Sequence, residues 1–268
     1  LGAALVFAVM AMLLLALDRR TLEIFGAGTK LLLGGGFAAA LAGLIAHEAR
    51  TPYPFIDLAL FKRRKFSMAA VSLVIVSTCY VLTGFLLPFY LQEVLGLAPS
   101  FIGLLFIVPA ALTVLLAPLS GYLADRFSPR VPTTLGVGFL SLGCLIGGLL
   151  RPDSHWLLPT LVIACSGVTN GIFNPANSSD MIGAMPKEHR GFASSVNYVA
   201  FGMGNVFGVG LAGVMMSFAY TRYTGVPGAS PSTANPAAFV AALNLTLLAG
   251  LAASAVALFT SAMRGEKG

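Results

Sequence analysis

The stretch FSMAAVSLVIVSTCYVLTGFLLPFYLQ, residues 66–92, runs without a charged side chain. A helix needs about 20 mostly apolar residues to cross the hydrocarbon core of a bilayer, and this stretch is longer than that. Backbone N–H and C=O groups in lipid must be paired within the segment, which a helix achieves and an isolated strand does not. Residues 66–92 therefore predict a membrane-spanning helix.

Seven further apolar runs lie on either side of this stretch. The sequence thus predicts an all-α integral membrane protein with eight transmembrane helices, at about residues 1–17, 31–46, 66–92, 100–123, 132–150, 157–180, 191–219 and 237–262. Leu1 opens the chain inside the first run, without an initiator Met or the basic segment of a signal peptide. We expect the sequence to be a piece of a longer chain.

The composition agrees with a lipid environment. Hydrophobic residues make up 57% of the chain and charged residues 10%, whereas a soluble domain has about 25% charged residues. Cys79, Cys144 and Cys165 lie in apolar runs without the close spacing of a zinc site, so neither a metal nor a cofactor is predicted. The net charge of +6 comes from short basic clusters between the runs, which favours membrane topology over nucleic-acid binding as its explanation.

The distribution of basic residues predicts the orientation. Positively charged loops stay on the cytoplasmic side of a membrane. Of the 16 Lys and Arg residues, one side of the predicted topology holds 11, namely Arg50, Lys62, Arg63, Arg64, Lys65, Arg126, Arg130, Lys187, Arg190, Arg264 and Lys267. The other five, on the opposite side, are Arg19, Arg20, Lys30, Arg151 and Arg222. We therefore expect a multi-pass protein of the cell (inner) membrane with a cytoplasmic C-terminus and an external loop at 221–236.

The basic, proline-containing segment 48–65 is predicted to be a cytoplasmic linker that divides the chain. Two linker transmembrane helices occupy residues 1–47, a six-helix bundle occupies 66–262, and 263–268 form a cytoplasmic tail. The six helices can be split into two triplets, which must have opposite orientations because three is odd. That arrangement predicts a 3+3 inverted repeat, inferred from the helix count alone.

The loop sequence GYLADRFSPR, residues 121–130, resembles the GxLaDrxGrr signature of the major facilitator superfamily. Ser128 and Pro129 depart from that signature. The resemblance implies a cytoplasmic latch that favours one access state and is built from Gly121, Asp125, Arg126 and Arg130. An ordinary positively charged loop remains the alternative.

Three further stretches look like the fourteen-span drug:proton antiporters of that superfamily. They are PFIDLALFKRRKF at 54–66, LPFYLQEVLGLAPSFIGLLFIVPA at 87–110 and PKEHRGFASSVN at 186–197. The resemblance implies the C-terminal part of a multidrug efflux transporter, whose seventh to fourteenth spans are the eight predicted here. It implies proton-coupled export of small amphipathic molecules by alternating access. The implied partners are the lipid bilayer, a small-molecule substrate and the missing N-terminal half.

Polar side chains within the spans are the candidate site residues, because each is costly in lipid and faces a partner helix or a water-filled cavity. We predict a substrate cavity lined by Ser77, Tyr80, Thr83, Ser166, Asn170, Asn174, Asn177, Asn197, Tyr198, Phe201 and Asn205. Small residues beside them predict close helix packing at Gly167, Gly171, Gly204 and Gly208. The alternative is that the amides are interhelical hydrogen bonds worth about 0.6 kcal/mol each.

The ten carboxylates all lie in loops or at span ends. Proton coupling needs a titratable group that both sides can reach, so we expect that group in the N-terminal half. Asp180 is the nearest candidate in this chain, and a solvated role at a helix end is expected for it. The spans hold neither a nucleophile with a base nor a metal cluster, so an enzyme is not predicted. A half-size protein that binds partners or regulates a transporter remains an alternative, as does a membrane-embedded enzyme.

Overall fold

The computed structural model describes residues 27–50, 63–226 and 235–262, together with the isolated positions 7, 9, 11, 12 and 231. Regular structure in this part of the chain is entirely helical. The helices are α1 (Ala27–Arg50), α2 (Arg64–Phe89), α3 (Pro99–Arg126), α4 (Arg130–Gly147), α5 (Leu157–Gly183), α6 (Arg190–Thr224) and α7 (Pro236–Ala262). A short π-helix, Tyr90–Val94, continues α2, and a 3₁₀ turn, Lys187–His189, precedes α6.

Six helices of the described residues, α2 to α7, are long and apolar enough to cross a membrane. They coincide with the last six predicted spans, which are thereby confirmed. Helix α1 contains the predicted span 31–46, with a shorter apolar core at Leu32–Leu44. The predicted span 1–17, the tail 263–268 and most of the linker 48–65 lie outside the described residues, so the count of eight stays a prediction.

Local sequence explains two of the helix ends. Pro99 begins α3, because proline at the first helical position has no N–H that needs a partner. Helix α6 runs beyond the predicted limit of residue 219 and ends only at Gly225, where φ is 71°. That left-handed conformation is readily adopted by glycine and lets its N–H bond to the carbonyl of Thr221, which closes the last turn.

The six helices pack in a defined set of pairs. Helix α2 lies against α6, and α3 lies against α5. Helix α4 fits between α5 and α7, and α7 also contacts α2 and α6. Helix α3 is the least covered of the six, because it packs mainly against α5.

We call the two ends of this bundle the basic end and the far end. At the basic end α2, α4 and α6 begin and α3, α5 and α7 end, and Arg63 donates a hydrogen bond of 3.2 Å to the carbonyl of Ala184. Apolar side chains including Phe66, Met181 and Met185 close the core there.

A clasp of two hydrogen bonds holds the connection between α4 and α5 at the far end. The buried Tyr90 hydroxyl donates to the carbonyl of Arg151 at 2.6 Å. The Asn244 amide of α7 donates to the neighbouring carbonyl, that of Leu150, at 2.9 Å. These carbonyls follow the end of α4, where helical partners are missing. The clasp therefore ties α2 and α7 to the same short segment.

Candidate substrate cavity

A cavity of about 320 Å³ lies between α2, α3 and α5, in the half of the bundle nearer the far end. We call it the apolar cavity. Its lining consists of Tyr80, Val81, Thr83, Gly84, Phe85, Phe106, Pro109, Ile163 and Ser166. Three of the predicted cavity residues, Tyr80, Thr83 and Ser166, are therefore brought together here. The Thr83 and Ser166 hydroxyls donate to the carbonyls of Cys79 and Val162 within their own helices, so the surface they offer is less polar than their sequence suggests.

A second space of about 10 Å³ lies deeper, between α2, α5 and α6. We call it the polar void. Its lining consists of Val76, Ser77, Tyr80, Thr169, Asn170, Asn174 and Phe201. A space of this size holds about one water molecule. The structure thus places Ser77, Asn170, Asn174 and Phe201 of the predicted set around the polar void, and Tyr80 at both spaces.

The polar groups at this void are only partly satisfied. The Asn174 amide donates to Asn170 Oδ1 along α5. Ser77 is 2% exposed, and its hydroxyl oxygen is buried without a hydrogen-bond partner among the described residues. A buried hydroxyl without a partner is costly, which marks this point as one where a further polar group would be favourable.

The remaining predicted cavity residues do not line either space. Asn197 links two helices, since its Oδ1 accepts from Ser178 at 3.3 Å and its amide donates to the sulfur of Met181 at 3.6 Å. Asn177 is fully buried, and in the described structure neither of its amide atoms has a partner. Tyr198 is 75% exposed on α6. The Asn205 Oδ1 is buried and unpartnered within the described part of the chain.

The four predicted packing glycines lie at two helix crossings. A Cβ at Gly204 would stand 2.5 Å from Ser77 Cβ, and one at Gly208 would stand 2.7 Å from the carbonyl oxygen of Thr78, so α6 meets α2 closely. Gly167 and Gly171 meet Pro109 and Thr113 in the same way where α5 crosses α3.

Two threonines at these crossings were not among the predicted site residues. Thr78 of α2 donates to the carbonyl of Gly204 at 3.1 Å, and Thr113 of α3 donates to the carbonyl of Gly167 at 3.2 Å. Each hydroxyl also bonds to the carbonyl four residues earlier in its own helix. A threonine within a helix commonly bonds to a carbonyl of its own helix. The sequence alone therefore does not show which threonines also bond to a neighbouring helix.

The predicted latch residues lie between α3 and α4 at the basic end. Asp125, Arg126 and Arg130 are exposed. The Arg126 guanidinium lies 5.8 Å from the ring centroids of both Tyr122 and Phe127, and it donates to the Tyr122 hydroxyl. A Cβ at Gly121 would meet no atom within 4 Å, so the described bundle does not make the close helix approach expected there.

Ser128 occupies the position at which the signature has glycine, and it has a structural role of its own. Its hydroxyl accepts a hydrogen bond of 3.2 Å from the backbone N–H of Arg130. Serine side chains commonly satisfy the free N–H groups at a helix start. Ser128, although it departs from the signature, therefore helps to stabilise the start of α4.

The burial of Asp180 differs from the prediction. A solvated role at a helix end was expected, whereas the side chain is only 8% exposed and is not without a partner. The reason is the packing of the neighbouring Met181 and Met185 against α2 and α6, which covers this end of α5.

Comparison with known proteins decides the family. The family model described as Major Facilitator Superfamily matches residues 1–209 and, in a second overlapping match, residues 69–262. The chain belongs to the major facilitator superfamily. Membership in this family indicates a transporter and not an enzyme, in a membrane that it crosses several times.

Several curated proteins are similar to this chain. The riboflavin transporter RibZ of Clostridioides difficile (strain 630) is 29% identical over 186 residues, 67% of this chain and 40% of that protein. The tetracenomycin C resistance and export protein of Streptomyces glaucescens is 28% identical over 188 residues, 68% of this chain and 35% of that protein. The multidrug resistance protein Stp of Mycobacterium tuberculosis (strain ATCC 25618 / H37Rv) is 28% identical over 172 residues, 63% of this chain and 32% of that protein. The matches thus span 32% to 40% of these relatives.

Proposed function

We propose that this chain is the C-terminal part of a secondary transporter that exports small amphipathic molecules by alternating access, driven by protons. The observation that carries the proposal is the apolar cavity of about 320 Å³ between α2, α3 and α5. Such a volume falls in the range of small-molecule sites, which are mostly apolar with a few placed polar groups. Two relatives bear names that describe export or multidrug resistance.

The packing supports a 3+3 inverted repeat of α2–α4 and α5–α7. Helix α2 pairs with α6, and α5 pairs with α3. In each pair the first helix of one triplet meets the second helix of the other, so a two-fold axis in the membrane plane would exchange the two pairs. The support is the pairing alone, because the close-packed glycines lie on the second helix of a triplet in one pair and on the first helix in the other.

The second wall of the transport pathway belongs to the N-terminal half in this proposal. Helix α3 is covered mainly by α5, and Tyr198 of α6 is 75% exposed. We propose that the N-terminal half packs against these exposed surfaces of α3 and α6 and closes the open side of the cavity. Asp125, Arg126 and Arg130 would then form the cytoplasmic latch, with the empty space beside Gly121 filled by a helix of that half.

The orientation and the coupling group follow from charge. We place the basic end and the C-terminus in the cytoplasm of a cell (inner) membrane, because loops rich in Lys and Arg remain inside. The described residues around the apolar cavity and the polar void include no carboxylate. We therefore assign the proton-accepting group to the N-terminal half, and Asp180, which is buried at the basic end away from both linings, remains the nearest candidate in this chain.

Transport by the purified full-length protein in proteoliposomes tests the proposal. Riboflavin and tetracenomycin C, named for two relatives, are suitable first probes. A pH gradient should drive accumulation of at least one of them, and nigericin, which dissipates the gradient, should abolish it. Residues 1–268 alone should not transport. Accumulation that is indifferent to nigericin would refute proton coupling, and transport by residues 1–268 alone would refute the need for an N-terminal half.

A further inference from the structure

Tyr80 is the one described residue that lines both the apolar cavity and the polar void. Both spaces border α2, where Ser77, about one helical turn before Tyr80, lines the void and Thr83, about one turn after it, lines the cavity. Tyr80 is therefore the side chain that the two linings have in common.

The two spaces differ in chemistry. Aromatic and aliphatic side chains, including Phe85, Phe106 and Ile163, dominate the apolar cavity. The polar void instead presents the Ser77 hydroxyl and the amides of Asn170 and Asn174. Neither lining contains a charged side chain among the described residues. A ligand that used both spaces would have an apolar body and an uncharged polar end.

The polar void has unused hydrogen-bonding capacity. The Ser77 hydroxyl oxygen is buried and unpartnered in the described structure. The bond from Asn174 to Asn170 uses one amide N–H and one carbonyl oxygen of the pair. An asparagine pair has further donors and acceptors beyond these, so Asn170 can still donate and Asn174 can still accept.

The sizes of the two spaces indicate which side of the polar void would have to move to admit a ligand group. At about 10 Å³ the polar void holds one water and no larger group. On the α6 side the backbone is fixed against α2, because Gly204 packs directly on Ser77. The Tyr80 side chain, in contrast, borders about 320 Å³ of space into which a change of rotamer could carry it.

We propose that Tyr80 is a shutter between an apolar compartment and a polar subsite formed by Ser77, Asn170 and Asn174. The subsite binds the uncharged polar end of a ligand, such as an amide, a hydroxyl or a carbonyl, while the apolar body stays in the apolar cavity. Tyr80 thereby selects which substrates gain the polar contacts. This inference rests on the proposed function, because it concerns the same cavity.

Cysteine accessibility tests the shutter without a transport assay. The background is the full-length protein with every native cysteine, including Cys79, Cys144 and Cys165, replaced by Ala. Ser77→Cys reports on the polar void and is nearly isosteric, while Gly84→Cys reports on the apolar cavity at an exposed position where a Cβ meets no atom within 4 Å. Methyl methanethiosulfonate, a small neutral thiol reagent, is the probe, and mass spectrometry measures the rate.

With Tyr80 present, Ser77→Cys should react about tenfold more slowly than Gly84→Cys or slower still, since the open state is a minor one. Tyr80→Ala should accelerate Ser77→Cys by about tenfold while leaving Gly84→Cys within about twofold. Tyr80→Phe keeps the ring and should behave like Tyr80. Tyr80→Leu, a milder loss of the ring, should also accelerate Ser77→Cys if the Ala variant does not fold. A rate at Ser77→Cys that is independent of residue 80 would overturn the shutter.

Ligand protection tests the chemical class. In the Tyr80→Ala background, 1-naphthaleneacetamide should slow labelling of both reporters, because its amide would reach the subsite. Its anionic analogue 1-naphthaleneacetate has nearly the same size and should protect Ser77→Cys less. Equal or better protection by the anion would overturn the assignment of uncharged ends. The protein could show labelling that depends on Tyr80 and yet transport no substrate. That result would support the shutter and contradict the proposed function.

Discussion

The crossing of α2 and α6 at Gly204 gives a stability prediction whose size can be worked from the structure. In Gly204→Ala the new Cβ would lie 2.5 Å from Ser77 Cβ and 2.6 Å from the carbonyl oxygen of Val74. Carbon atoms prefer separations of about 3.5–4.0 Å, so the helices would have to part by about 1 Å. Overpacking of this kind costs about 1–3 kcal/mol.

Gly202→Ala is the matched control. It lies in the same helix, and a Cβ there would meet no atom within 4 Å. Both variants gain about 1 kcal/mol of helix propensity, so the difference between their stabilities isolates the packing cost. We expect Gly204→Ala to unfold at a temperature lower than that of Gly202→Ala by about 1–5 °C.

Thermal unfolding of the full-length protein in detergent measures this difference. A maleimide coumarin dye that fluoresces on reaction with thiols is a suitable reporter, because Cys79 and Cys144 are buried until the bundle opens. If Gly204→Ala melts at the same temperature as Gly202→Ala or above it, the tight crossing does not exist in the protein.

Three further predictions concern topology, the latch and the amides. A membrane-impermeant maleimide added outside intact cells should label a Cys at Ser232 and not one at Arg63, and the reverse pattern would invert the proposed orientation. Asp125→Asn should slow turnover while leaving substrate affinity unchanged in a binding assay on the full-length protein; normal transport rates would make GYLADRFSPR only a charged loop. Asn170→Leu should change relative rates across a substrate panel with little loss of melting temperature, whereas Asn197→Leu should lower that temperature by breaking the link to Ser178. Similar behaviour of the two variants would contradict the division between cavity and packing amides.

The six spans α2 to α7 could be predicted because the bilayer sets both their length and their composition. Their ends were less predictable, as α6 shows: nothing apolar marks its continuation to Thr224, and the end is set by the backbone conformation of Gly225. A hydropathy pattern therefore predicts that a helix spans the membrane, but it does not determine the residue at which the helix ends.

The site was partly predictable, because periodicity shows which residues share a helix face but not what covers that face at each depth. Asn170 and Asn177 lie on one stripe of α5, about 10 Å apart along the helix axis. Asn170 lines the polar void, while Asn177 is fully buried nearer the basic end, where the core closes. The burial of Asp180 has the same origin. Gly121 and Tyr198 would be covered only by the N-terminal half that we propose, so their surroundings could not be predicted from this sequence.

The clasp at the far end has a mechanical consequence. Parting the far ends of α2 and α7 from the segment after α4 would strip the carbonyls of Leu150 and Arg151 of their donors, at about 1–3 kcal/mol each. We therefore expect spin labels at the far ends of α2, α4 and α7 to keep constant mutual distances between access states in double electron–electron resonance, and shifts of several ångströms would contradict this. If the proposed transport cycle moves these helices relative to one another, we expect the movement to be confined to the basic end, with the far end acting as a fixed pivot.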